Sequence, residues 1–185
     1  MKPSLCKAIL ISLFAISLTG CAASDNTEKK QEKEETSSKK EETKKEEKVY
    51  KIGDTWTIPD QISVTVNSIS KTDERNEYYD EENGSPAAVY IVDYTYTNDG
   101  WEDKNGLMDG LFIDLSSAQI VDAGGKMAQS YPDTITYPQS TPVGATCDAQ
   151  TAIAVETEGP VKIIYSFYDN DGKQQKATFE LTPDE

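Results

Sequence analysis

Carboxylates dominate the chemistry that this sequence offers. Asp73, Glu74, Glu77, Asp80, Glu81 and Glu82 fall in one stretch, and Asp99, Glu102, Asp103 and Asp109 in the next. Asp169 and Asp171 flank a turn. Calcium takes about six to eight oxygen ligands, so loops of this kind suit it. The run Asp169-Asn170-Asp171-Gly172-Lys173 matches the opening of an EF-hand loop. The glutamate that must close such a loop is missing at the required spacing. Calcium (Ca2+) at Asp169 and Asp171 is thus one expectation, resting on an incomplete motif. An ordinary hairpin turn on a solvated acidic surface is the other, and no further cofactor is indicated.

Aromatic residues are the second resource. The chain has ten tyrosines. Tyr78, Tyr79, Tyr131 and Tyr137 fall between apolar runs, and Trp101 follows a turn. Aromatics in loops serve recognition of proteins, peptides or glycans, so these five are candidate ligand contacts. Tyr94, Tyr96 and Tyr165 instead read as sheet residues with one wet end. Cys147 lies on an apolar strand face and reads as an inert, buried thiol. There is no histidine anywhere, so nothing of the usual kind activates that thiol, and the commonest general base and metal ligand is missing. No Gly-x-Ser-x-Gly elbow, Ser-x-x-Lys pair or phosphate loop is present. Paired carboxylates of a glycoside hydrolase have no distinguishing spacing here. The chain therefore reads as non-enzymatic.

Charge narrows the partners. The 185 residues carry a formal net charge of −15. Residues 49–185 account for it, with 24 acids against eight bases. That field repels nucleic-acid phosphates and anionic lipid headgroups and attracts cationic partners. Nucleic acid is excluded on this ground.

The N-terminus supplies an address. Lys2 and Lys7 precede an apolar segment, Ala8 to Leu18, interrupted only by Ser12 and Ser17. A helix of that size spans roughly 17 Å, well short of the ~30 Å of a bilayer core. It reads as an export signal and not as a permanent span. Leu18-Thr19-Gly20-Cys21 resembles the lipobox of bacterial lipoproteins. The resemblance implies cleavage between Gly20 and Cys21 by lipoprotein processing enzymes and a diacylglyceryl group on the Cys21 sulfur. Two acyl chains anchor stably, at roughly 0.8 kcal/mol per buried methylene. The expected location is the outer face of the cell membrane, lipid-anchored and extracytoplasmic. With Cys21 occupied, Cys147 has no partner for a disulfide, so the exported domain must be held by its core.

Residues 24–48, SDNTEKKQEKEETSSKKEETKKEEK, contain no aliphatic or aromatic side chain. They cannot bury enough apolar area to offset ordering. A disordered, charge-balanced spacer is expected, with a reach of roughly 28 Å r.m.s. for a flexible coil. The organisation is thus a signal peptide over 1–20, a lipidated cysteine and linker over 21–48, and a folded domain over 49–185.

From Val49 onward the period becomes two. Ile62, Val64 and Val66 alternate with polar residues, and Ile69 has the opposite parity, which predicts a bulge near Asn67-Ser68. Tyr90, Val92, Tyr94 and Tyr96 share a face, and Asn98-Asp99-Gly100 ends that run as a turn. Further strands are expected over 50–58, 111–115, 118–123, 145–155, 161–168 and 176–182. No amphipathic helical stripe is evident. Residues 127–144 hold Pro132, Pro138 and Pro142 and read as a long loop crossing between sheets. The expected fold is an all-β antiparallel sandwich of seven to eight strands.

Several motifs then converge: Tyr-Lys-Ile-Gly-Asp-Thr at 50–55, the 62–70 strand, Tyr-Ile-Val-Asp-Tyr-Thr-Tyr-Thr-Asn-Asp-Gly from 90, the Val-Asp-Ala-Gly-Gly-Lys hairpin, and Pro-Val-Gly-Ala-Thr at 142–146. The domain resembles the immunoglobulin-like domain of unknown function common in lipoproteins of Gram-positive bacteria. The sequence departs from that pattern in a small-residue run, Ala149 to Ala154, and in a longer insertion, Lys71 to Pro86. The resemblance implies an immunoglobulin-like β-sandwich at the cell surface and brings no catalytic residues. The function expected is binding of an unknown protein or glycan ligand in the cell envelope. The alternative is an accessory or structural subunit of a membrane transporter or sensor complex.

Overall fold

The computed structural model describes residues 48–133 and 135–184. The export signal, Gly20, Cys21 and the spacer as far as residue 47 lie outside the described residues.

Among the described residues nine strands form two sheets. One holds β1 (Val49–Tyr50), β9 (Gln174–Leu181), β8 (Val161–Tyr168) and β5 (Gln119–Val121), in that spatial order. The other holds β2 (Thr55–Ile58), β3 (Ile62–Thr72), β4 (Ala88–Asn98), β7 (Thr146–Val155) and β6 (Gln129–Ser130). Every pairing is antiparallel except β1 with β9. The expected sandwich is therefore present. It exceeds the expected strand count because β1 and β6 are two-residue pairings, too short to show a period.

Alternation decides what lies between the sheets. Ile62, Val64 and Val66 of β3 and Tyr90, Val92, Tyr94 and Tyr96 of β4 face Val161, Ile163, Tyr165 and Phe167 of β8 and Phe179 and Leu181 of β9, all in one core. Trp56 meets Tyr165 edge-on, with ring centroids 6.2 Å apart, joining the two layers. Each fully buried aliphatic or aromatic side chain contributes about 1.5–3 kcal/mol, and no disulfide exists in the described domain, where Cys147 is free. The bulge lies between Val66 and Ser68. It restores Ile69 to the core, where it is fully buried.

Three local expectations are corrected. Residues 111–115 do not form a strand. Leu111, Ile113 and Leu115 alternate into the core, but the segment makes only a bridge from Leu111 to Thr141 and a 3-10 turn over Leu115–Ser117. The period came from burial, and no neighbouring strand lies alongside to complete a ladder. Residues 127–144 do not cross between sheets. They include β6 and connect it to β7, its neighbour in the same sheet. The crossings are made by the segments after β1, β4, β5 and β7. The stretch 71–86 contains a helix, α1 (Glu77–Asn83), capped by the Asn76 side chain and stopped at Gly84 (φ 82°). Seven residues with none buried are too few to show a helical stripe.

Candidate functional site

The sequence candidates separate onto two surfaces. Trp101, Asp169 and Asp171 stand at the end of the sandwich where the turn before β3, the segment after β4 and the β8–β9 hairpin meet. Tyr78, Tyr79, Tyr131 and Tyr137 belong to α1 and to the segment after β6.

The first surface is knitted by backbone and amide groups. The carbonyl of Gln61 accepts from the amides of Asp99, Gly100 and Trp101 at 2.8, 3.1 and 3.2 Å. Its side-chain Oε1 accepts from Asn170 N at 2.7 Å. Asn170 Nδ2 donates to the Gly100 carbonyl at 3.2 Å, and Asn170 Oδ1 accepts from Glu102 N at 3.3 Å. Beneath them Asn98 is wholly buried. Its Nδ2 donates to the carbonyls of Trp101 and Thr141, and its Oδ1 accepts from the amides of Gly100 and Trp101. Gly110 lets the chain approach closely here: a Cβ would stand 2.6 Å from the Thr141 carbonyl oxygen, a contact no side chain tolerates.

Asp103 shapes the tip. Its carboxylate accepts from the amides of Asn105, Leu107 and Met108 at 2.9, 2.7 and 2.9 Å. The Asn105 amide foremost, outweighing partial desolvation, holds the acid below its usual range. The loop so formed carries Leu107 into solvent at 86% exposure. Met108, Val143 and Tyr168 are exposed as well. Two open grooves, of about 410 and 390 Å3, share Trp101, Glu102, Asp103 and Lys104 as wall. Met108 and Val143 line the first, and Tyr168 lines the second. Trp101 itself is half-buried. Its ring packs on Phe167 at 5.6 Å, and its indole N–H reaches the Tyr168 carbonyl at 3.3 Å.

The hairpin that matched an EF-hand opening has a different task. Asp169 Oδ1 accepts from the amides of Asp171 and Lys173, and Oδ2 from Gln175 Nε2 at 2.7 Å. The Gln175 contact is the main reason its acid form is disfavoured. Asp122 repeats this construction. In Asp122-Ala123-Gly124-Gly125-Lys126, Oδ1 accepts from the amides of Gly124 and Lys126, and Oδ2 pins Thr157 N at 2.9 Å. Both runs read Asp-x-x-Gly-Lys, with the glycine at φ 81° in one and 73° in the other. The carboxylate closes a turn in both. Among the described residues no three acids or thiols converge as metal ligands.

The second surface lies on the outer face of the five-stranded sheet. Val89, Ala152 and Ala154 form a small apolar floor with Tyr131, against which Tyr79, Ile91 and Ile135 pack. Tyr131 corrects the expectation of a ligand contact: it is only 3% exposed. Its ring meets Tyr79 at 4.9 Å, and its hydroxyl binds Asn76 N and Asp80 Oδ1. Tyr79 is half-buried, with its hydroxyl on Gln129 Oε1 at 3.0 Å. These two tyrosines dock α1 onto the sheet. Tyr78 and Tyr137 remain free for contact, at 84% and 66% exposure.

Sequence reasoning missed Leu107, Met108 and Val143. The available signal was an isolated apolar pair set among Asn, Gly and Asp. A loop holding such a pair without a periodic neighbour leaves it in water.

No helix among the described residues is long and apolar enough to cross a membrane. No family model matches the chain, and no curated protein matches it. Among solved structures it is similar to ycdA from Bacillus subtilis, provisionally described as a lipoprotein, at 16% identity and a TM-score of 0.46. The likeness covers 66% of this chain and 37% of that one, so this chain spans well under half of its structural neighbour.

Proposed function

We propose that this is a lipid-anchored, extracytoplasmic binding protein of the cell envelope, held through Cys21 and built on an immunoglobulin-like sandwich. The fold reading is supported by strand order. β3-β4-β7-β6 opposite β5-β8-β9 is the ABED and CFG arrangement of constant-type immunoglobulin domains, with β1 and β2 added ahead of it. In that arrangement the segment after β4 and the β8–β9 hairpin are the loops used for recognition in antibody variable domains. The anchor is supported by Leu18-Thr19-Gly20-Cys21 at the end of an apolar segment.

The single observation that carries the binding role is the rigid loop end. Exposed Leu107, Met108, Val143 and Tyr168 stand on loops fixed by the Gln61, Asn98 and Asn170 bonds. Preorganised loops lose little entropy on capture of a partner. The function is tested by expressing the chain in a Gram-positive host. Labelled fatty acid should enter the native protein and not Cys21→Ser. Cross-linking in intact envelopes should then yield a discrete partner. An unacylated, cytosolic chain defeats the proposal, and so does an acylated one that cross-links to nothing.

A further inference from the structure

The binding reading leaves the partner's chemistry open, and the loop end narrows it. We propose that this end of the sandwich takes a cationic, amphipathic polypeptide segment, one whose apolar side chains are flanked by lysine or arginine. The inference rests on the binding reading above.

Three observations meet here. The apolar part is contiguous with the grooves: Met108 and Val143 line one, Tyr168 the other, and Leu107 adjoins Met108. Exposed apolar groups clustered on one surface mark an interaction site, where scattered ones do not. The rim is acidic. Glu102, Asp103 and Asp109 border the first groove, and Asp169 and Asp171 the second, against only Lys104 near both and Lys173 in the hairpin. None of the ion pairs among the described residues involves these acids. Those pairs join Lys51 and Lys162 to Glu180, Lys71 to Glu158, and Lys126 to Glu156. The five acids of the rim outnumber Lys104 and Lys173, so the field at the loop end is negative.

Competing occupants fit less well. A membrane of anionic lipid meets the same carboxylates with like charge. A glycan is held by stacked aromatic faces, and the grooves offer one exposed ring, Tyr168, since the Trp101 ring packs on Phe167 and its N–H reaches the Tyr168 carbonyl. A polypeptide carrying both apolar and cationic side chains satisfies the grooves and the rim together.

The test uses residues 21–185 with Cys21→Ser, the chain as it stands after the expected cleavage and without an acyl anchor. Its probe is a synthetic peptide of alternating Lys and Leu pairs. A Glu-for-Lys version of that peptide and phosphatidylglycerol vesicles are the comparisons. Binding is followed by calorimetry and by tryptophan emission, to which Trp101 contributes and the buried Trp56 is the constant background. The Lys/Leu peptide should bind, more weakly as salt rises. Leu107→Ser with Met108→Ser should weaken it at least tenfold with at most a small fall in Tm, because Leu107 stands in water and Met108 is only partly covered. Equal binding by the double variant overturns the proposal, as does tighter binding of the Glu/Leu peptide or of the vesicles. The two readings fail separately. An envelope partner captured equally by the parent chain and the double variant overturns the loop end and leaves the binding role standing. Peptide bound at the loop end, with no envelope partner captured, does the reverse.

Discussion

Replacing Asn98 by alanine tests whether one buried amide holds the loop end together. The side chain makes four bonds: to the Trp101 carbonyl at 3.1 Å, the Thr141 carbonyl at 2.9 Å, and from the amides of Gly100 and Trp101 at 3.1 and 2.8 Å. Three of these four partners have a second bond. Both amides also point at the Gln61 carbonyl, and the Thr141 carbonyl also receives Leu111 N. Alanine thus leaves the Trp101 carbonyl without its Asn98 bond and weakens the other three groups. A buried group stripped of its partner costs about 1–3 kcal/mol, and each shared bond about 0.5–1 kcal/mol. The expected loss is about 3 kcal/mol, or a Tm lower by about 10 °C for a domain of this size. Typical domain stabilities of about 5–15 kcal/mol leave the fold intact. Urea unfolding gives the magnitude, and hydrogen exchange gives the place. Asp99, Gly100, Trp101 and Leu111 should lose protection, while β8 and β9 keep theirs up to the global limit. A loss under about 1 kcal/mol, or protection lost evenly across both sheets, refutes the reasoning. Asn98→Asp should be worse at neutral pH, since a carboxylate donates nothing and would face two carbonyls.

Other perturbations read other parts of the design. Tyr165 is buried, which with Asp114 nearby pushes its hydroxyl up to about 12. The unfolded chain ionises first, so the stability tied to this group is whole below about pH 10 and falls as pH rises to about 12, by about 3 kcal/mol at most. Tyr165→Phe should flatten that decline in urea titrations, and an unchanged slope would exclude Tyr165 as its source. At Asp122 burial raises the pKa, but the amides of Lys126, Thr157 and Gly124 outweigh it and leave the acid lowered. Its contribution is present above about pH 4, the unfolded value, and is lost as pH falls through the folded one. Asp122→Asn should therefore cost about 1–2 kcal/mol at pH 7 and progressively less in acid, and a deficit independent of pH would contradict this. Ala152→Leu should force Tyr131 and α1 off the sheet at a cost of about 1–3 kcal/mol. Exchange should rise over 76–84, and a fully protected α1 in that variant would contradict the packing.

The strands were legible wherever one face met the core. In β3 as far as Val66, in β4 from Tyr90 and throughout β8 every second residue is buried, and even the bulge shows in the parity of Ile69. Legibility failed where burial and hydrogen bonding part company. Leu111, Ile113 and Leu115 alternate as a strand would, yet pair with none. It failed again at α1, whose existence rests on the Asn76 cap and Gly84 stop and not on any apolar stripe. Tyr131 looked like a binding residue because prolines follow it in an irregular segment. The contrary signal lay on β7, where Ala152 and Ala154 face outward. Small residues on an outer face make room for something, and that something is Tyr131. Asp169-Asn170-Asp171-Gly172-Lys173 looked like calcium chemistry until set beside Asp122-Ala123-Gly124-Gly125-Lys126. Two copies of one spacing, each at a hairpin, argue for turn closure.

The absence of a disulfide in the described domain poses a mechanical question: what keeps loops rigid at both ends of a sandwich? β4 gives the answer. Three tyrosines on its inner face bury their rings between the sheets and send their hydroxyls outward to different connections. Tyr90 accepts from Gly159 N at 2.9 Å, in the crossing after β7. Tyr94 donates to the Ile113 carbonyl at 2.9 Å, in the crossing after β4. Tyr96 binds both the amide and the carbonyl of Gln139, in the segment before β7. That last segment holds Thr141, which bonds Leu111 and Asn98, and through them the 99–110 loop is held. A ring in the core and a hydroxyl on a loop couple the two, so that loosening one loosens the other. Each such bond contributes only about 1 kcal/mol net, but the rings are already held by the core and lose little further freedom in making it. The loop end is thus held because the middle of the sandwich is packed, and the side chains it displays owe their positions to tyrosines buried between the sheets.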